Sequence, residues 1–182
     1  LEQALGWSNP LTWATTLRLL GAILNGGVIL ALLRFQISPL RHRNLATSLL
    51  CLLWFFPYLH VRTSIDNWSG ALFFLGFALR SQTKYTWLVG FIWAIAFQMR
   101  LQIAPLIVGA IVWTLLFDKK DLFRGGSQFL LGVMLAFGLG ICIDRWGYGE
   151  WTLPWWNYLI DQFNNSRAAA WGTSPPWYYF TV

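Results

Sequence analysis

Charge is scarce in this chain. Only 11% of its 182 residues are Asp, Glu, Lys or Arg, against roughly 25% for a soluble domain. Too few charges remain to clothe a hydrophobic core in water, so an ordinary soluble fold is excluded. Acids are scarcer than bases, 7 against 13, leaving a formal net charge of +6. Cysteine occurs twice, as Cys51 and Cys142, each inside an apolar run. Two such residues make no disulfide framework, and no Cys or His spacing suits a metal, so no metal or other cofactor is expected. No glycine-rich phosphate loop follows a strand pattern, and no internal repeat is visible. No signal-peptide pattern opens the chain and residue 1 is Leu, which reads as a piece of a longer protein.

Apolar and aromatic residues are what the chain has. Hydrophobic residues make up 57% and aromatics 18%, with 13 Trp. So much apolar surface rules out disorder. The basic residues lie between apolar runs, not in a patch, which argues against nucleic-acid binding. The composition fits an all-α integral membrane protein.

Six apolar runs stand out, roughly Leu11–Leu33, Leu45–Leu59, Trp68–Leu79, Tyr85–Phe97, Ile103–Phe117 and Phe129–Ile143. Most fall short of the ~20 residues that cross a hydrocarbon core. Trp, Tyr, Arg and Lys at their ends suit the interface. About six membrane helices are therefore expected over residues 1–144, with both termini on the outer side. In that topology the inner loops hold 8 of the 13 Lys and Arg and only 2 of the 7 acids, which obeys the positive-inside rule. Residues 145–182 then form an outer-face segment holding six of the 13 Trp. A short amphipathic stretch near Trp155–Phe163 suits the membrane surface.

The inner loops look like plain topology signals. The outer side offers chemistry: Arg62-Thr63-Ser64-Ile65-Asp66-Asn67, then Gln98-Met99-Arg100-Leu101-Gln102, then Asp144-Arg145-Trp146-Gly147-Tyr148-Gly149. Arg62 and Asp66 are four apart and either pair on one helix face or form an anion site, since a guanidinium grips phosphate with parallel hydrogen bonds. Arg100 interrupts a long apolar region and is either a plain hairpin corner or a buried, functional cation flanked by two glutamines, because charge near the membrane is costly. Asp144 is either a capping partner of Arg145 or a site residue. His60 reads as a satisfied interfacial residue and His42 as bland. Asn67-Trp68-Ser69 and Asn164-Asn165-Ser166 match the glycosylation sequon by a common pattern. In the tail, Asn157, Asp161, Gln162, Asn164 and Asn165 alternate with rings. That mixture suits a sugar, whose C–H face stacks on aromatics while amides take its hydroxyls.

The tail also carries a resemblance. Tyr148-Gly149-Glu150-Trp151, Pro154, Trp156-Asn157-Tyr158, Phe163-Asn164 and Gly172-Thr173-Ser174-Pro175-Pro176-Trp177-Tyr178-Tyr179 resemble the Alg9-like mannosyltransferase family. Asp144 at a span end, Arg62-Thr63 and Arg100 are similar to further elements of that family. Ser64-Ile65-Asp66-Asn67-Trp68-Ser69-Gly70 looks more like its bacterial relatives, which would put the chain in a bacterial inner membrane; a eukaryotic source would put it in the endoplasmic reticulum.

The resemblance implies a C-type glycosyltransferase that moves a hexose, typically mannose, with inversion. The donor would be a polyprenyl-phosphate sugar and the acceptor a glycan or glycolipid on the outer face. The family's acidic base would lie upstream of Leu1, so no catalytic residue is assigned. Arg62, Asp66, Arg100, Asp144, Tyr148, Asn157 and Trp177 are the expected substrate-binding residues. A transporter or flippase for a polar or lipid-linked solute is the alternative, with a bare structural subunit behind it.

Overall fold

In the computed structural model the described residues are 10–36, 40–52, 56–80, 82, 86–117, 119–151 and 153–164. Among them the secondary structure is helical, with no strand. The helices are α1 (Pro10–Phe35), α2 (Leu40–Leu52), α3 (Phe56–Val61), α4 (Ile65–Leu79), α5 (Thr86–Met99), α6 (Ala104–Phe117), α7 (Lys119–Tyr148) and α8 (Pro154–Asn164), with a 3-10 turn at Leu101–Ile103. The chain divides into two compact units, residues 1–138 and 139–182.

Two helical stretches, Pro10–Phe35 and Gly125–Tyr148, are long and apolar enough to cross a membrane. The expected spans in between are shorter. α4, α5 and α6 have 15, 14 and 14 residues, about 21–23 Å at the helical rise, against about 30 Å of hydrocarbon. The expected run Leu45–Leu59 is not one described helix: α2 ends at Leu52 and α3 begins at Phe56, with Pro57 in the first turn of α3, where proline is tolerated. The last run grows instead, since α7 starts at Lys119 and continues to Tyr148.

The first unit is organised around α4. Its buried residues include Ser69, Phe73 and Gly76, spaced for one helix face, and that face meets α5. The Ser69 hydroxyl donates to the Ala96 carbonyl at 3.0 Å and the Trp93 indole N–H to the Phe73 carbonyl at 3.0 Å. The Trp93 and Phe73 rings stack with centroids 5.9 Å apart. Gly76 is obligatory there, because a Cβ would overlap the Trp93 indole. On its other side α4 meets α1, whose Gly21, Asn25 and Val28 are buried. The Gln36 amide closes that side, donating to the Phe77 and Ala78 carbonyls at 3.0 Å each.

α5 and α7 approach backbone to backbone. A Cβ on Gly132 would run into the Trp87 carbonyl and within 2.8 Å of the Phe91 nitrogen, and one on Gly90 would meet the Phe129 carbonyl. Small residues permit such approach between apolar helices. The Gln98 amide then bridges to the Ala136 carbonyl at 3.1 Å.

The outward faces are apolar. On α6, Leu106, Val108, Trp113, Leu116 and Phe117 are each more than half exposed, as are Leu130, Leu131, Met134 and Leu135 on α7. Apolar area on that scale is unfavourable in water and neutral in lipid.

Candidate functional site

The C-terminal ends of α3 and α5 and the N-terminal end of α4 build the candidate site. Val61 ends α3, and Arg62, Thr63 and Ser64 connect it to α4. Ser64 is the N-cap: its side chain accepts the Asn67 N–H at 3.3 Å, which satisfies one open donor of the first turn. The Asn67 amide reaches back to the Arg62 carbonyl at 2.8 Å. These two bonds fold the connection onto the start of α4. Asp66 lies in that first turn, where a carboxylate is favoured by the helix dipole.

Arg100 follows the end of α5. Its backbone is extended, with φ −152° and ψ 113°, so it breaks the helix while its N–H still donates to Ala96 at 3.0 Å. The 3-10 turn and Pro105, in the first turn of α6, then start the return. The Arg100 guanidinium pairs with the Asp66 carboxylate. The two side chains keep 38% and 56% of their exposure, so a solute can reach both.

Two expected site residues, Asp66 and Arg100, thus meet across 34 positions of sequence. The local alternative, a pair between Arg62 and Asp66, is replaced by this longer-range one. Arg62 itself is exposed, and its contact with α4 runs through its backbone carbonyl. Arg100 is a hairpin corner, and its guanidinium is paired and partly exposed rather than buried. Gln98 turns inward to α7 and serves packing.

A cavity of about 340 Å³ opens beside Asp66 between α1, α2, α3 and α4. Val28, Ile29, Leu32, Leu50, Leu59 and Phe74 give it apolar walls, and Asn25, His60, Asp66 and Asn67 a polar end. Asn25 is buried and donates to the carbonyls of Gly21 at 2.9 Å and His60 at 3.0 Å. The His60 ring lies 3.3 Å from the Leu50 carbonyl, the satisfied role expected of it. Sequence reasoning passed over Asn25. Its signal was an amide in the middle of an apolar run, where an unpaired polar group would be costly.

The second unit holds the remaining site residues. Asp144 and Tyr148 lie in the last two turns of α7, and Tyr148 is 72% exposed. Gly149, at φ +77°, caps the helix, with its N–H donating to the Arg145 carbonyl at 3.0 Å. The Arg145 guanidinium lies over the Trp151 ring, 5.7 Å from its centroid, so it meets an indole. α8 is the expected amphipathic helix. Pro154 starts it, and the Leu153 carbonyl accepts from Trp156 at 2.9 Å and Asn157 at 3.0 Å. Trp156 and Ile160 share one helix side, Asn157 and Asp161 another. Trp177 lies outside the described residues. Among the described residues no group of three or more His, Cys, Asp or Glu is placed to hold a metal ion.

With this geometry established, comparison with known proteins gives a consistent result. A profile described as the Alg9-like mannosyltransferase family matches residues 3–182. The Dol-P-Man:Man(7)GlcNAc(2)-PP-Dol alpha-1,6-mannosyltransferase of Saccharomyces cerevisiae is 28% identical over 87 residues, which cover 48% of this chain and 16% of the yeast protein. The chain therefore matches about a sixth of that relative's length. No solved structure matches it.

Proposed function

The chain belongs to the Alg9-like mannosyltransferase family, and on that premise we propose that it is part of a membrane glycosyltransferase. The enzyme moves a hexose, mannose by family analogy, from a polyprenyl-phosphate donor to a glycan or lipid-linked acceptor on the outer face. The observation that carries this reading is the family match along nearly the whole chain. The name of the yeast relative, a Dol-P-Man:Man(7)GlcNAc(2)-PP-Dol mannosyltransferase, supports the donor and acceptor classes.

In this reading the donor's lipid lies among the apolar helices and its phosphate meets Arg100, with Arg62 as a second cation. The acceptor hydroxyl attacks the anomeric carbon from the face opposite the phosphate, which inverts it. The bond from that carbon to the phosphate oxygen breaks, and its electron pair stays on the phosphate. Arg100 stabilises that growing charge, and a fixed guanidinium is worth most where charge develops. The hydroxyl proton passes to a general base, a role assigned to none of the residues named here. By family resemblance, Asp144, Tyr148, Asn157 and Trp177 are proposed as sugar- or acceptor-binding residues, and α8 as a helix on the outer membrane surface.

The test is transfer by the full-length protein in proteoliposomes, given either polyprenyl-phosphate mannose or a nucleotide-linked mannose. Transfer from the lipid-linked sugar alone supports the proposal. Movement of a lipid-linked solute between leaflets without transfer overturns it in favour of a flippase.

A further inference from the structure

The Asp66–Arg100 pair sets a carboxylate against the guanidinium assigned above to the lipid phosphate. The placement is built in. Ser69 Oγ holds the Ala96 carbonyl at 3.0 Å and so fixes the register of α4 against α5. Asp66 lies three residues before Ser69 and Arg100 four after Ala96, so the same lock holds both at the outer end. The Ser64 cap and the Asn67–Arg62 bond hold the first turn of α4 in place.

An acid beside an anion-binding arginine looks counterproductive, because it repels the ligand. The repulsion is unequal, however, and scales with the ligand's charge. A polyprenyl-phosphate sugar is a phosphodiester with one negative charge. Once the sugar leaves, the lipid phosphate is a monoester carrying about −1.5 to −2 at neutral pH, as phosphate monoesters do. Asp66 therefore opposes the product more than the donor.

We propose that Asp66 is a positioning residue that acts through Arg100: it holds the guanidinium at the outer end of the α4–α5 hairpin and biases the site against the phosphomonoester product relative to the phosphodiester donor. The inference rests on the glycosyltransferase reading. Its consequence is faster escape of the spent lipid, with the donor's charge still matched by the arginine.

The experiment uses the full-length enzyme in proteoliposomes, as wild type, Asp66→Asn and Asp66→Glu. It measures KM and kcat for polyprenyl-phosphate mannose and Ki for the polyprenyl monophosphate. Removing the carboxylate should lower Ki by about fivefold more than it lowers KM, the scale of a partly exposed charge pair. Asp66→Glu should return the ratio of Ki to KM toward wild type, which a merely structural role would not require. Asp66→Ser makes the same comparison if the amide variant fails to fold. A wild type that transfers mannose, with the ratio unchanged in the variants, overturns this inference alone. A wild type that transfers nothing from the lipid-phosphate donor overturns the glycosyltransferase reading and this inference with it.

Discussion

Trp93 in α5 is 3% exposed and its indole N–H reaches the Phe73 carbonyl; Trp146 and Trp151, in the second unit, are 89% and 72% exposed. The same residue type does different work in the two regions. In the α4–α5 hairpin Phe73 and Trp93 turn inward, with hydrogen bonds fixing which turn faces which. At the end of α7 and in α8 Trp146, Trp151 and Trp156 face outward, where lipid or sugar can meet them. A rigid register is what allows Asp66 and Arg100 to be placed by the fold. An outward aromatic surface is what an interface or a carbohydrate needs.

The sharpest way to break the inner half of this comparison is Gly132→Leu. Its side chain has no space at the Trp87 carbonyl, and overpacking against backbone exceeds the usual 1–3 kcal/mol or so. The variant should lose its cooperative thermal transition and become protease-sensitive. Next comes a matched pair of tryptophan truncations. Trp93→Ala should cost about 3–5 kcal/mol, as buried aromatic truncations do, while Trp146→Ala should stay within about 0.5 kcal/mol, as surface changes do. Thermal shift in one detergent reads both.

The outer half is sharpened by a polarity-sensitive dye on single cysteines along α8. Blue-shifted emission is expected at positions 156 and 160 and water-like emission at 157 and 161. Uniform emission at all four would remove α8 from the membrane surface. A small, stabilising effect belongs to Gly109→Ala. No atom lies within 4 Å of the added Cβ, so helix propensity alone should raise stability by at most about 1 kcal/mol.

Some of this architecture was legible in the sequence because it is local. Apolar runs, the amphipathic stretch of α8 and the corner at Arg100 all follow from spacing within a few residues. The membrane-crossing arrangement was less so, since helix length depends on where the chain turns. The three short apolar helices and the separate α2 and α3 are set by packing that hydropathy does not encode. The Asp66–Arg100 pair was not legible as a pair. The i, i+4 spacing pointed to Arg62, and the true partner arrives only through the α4–α5 register set by Ser69 and Trp93. Gln98 shows the same limit: in sequence it flanks a charged corner, while in the fold it caps a carbonyl of α7.

The most direct measurement is kcat/KM for hexose transfer from polyprenyl-phosphate mannose by the full-length enzyme carrying Arg100→Ala. A fall of about 10²-fold or more is predicted, the scale of removing a group that stabilises charge in the transition state, with Arg100→Lys falling in between. Turnover equal to wild type would contradict the role given to the α5–α6 corner.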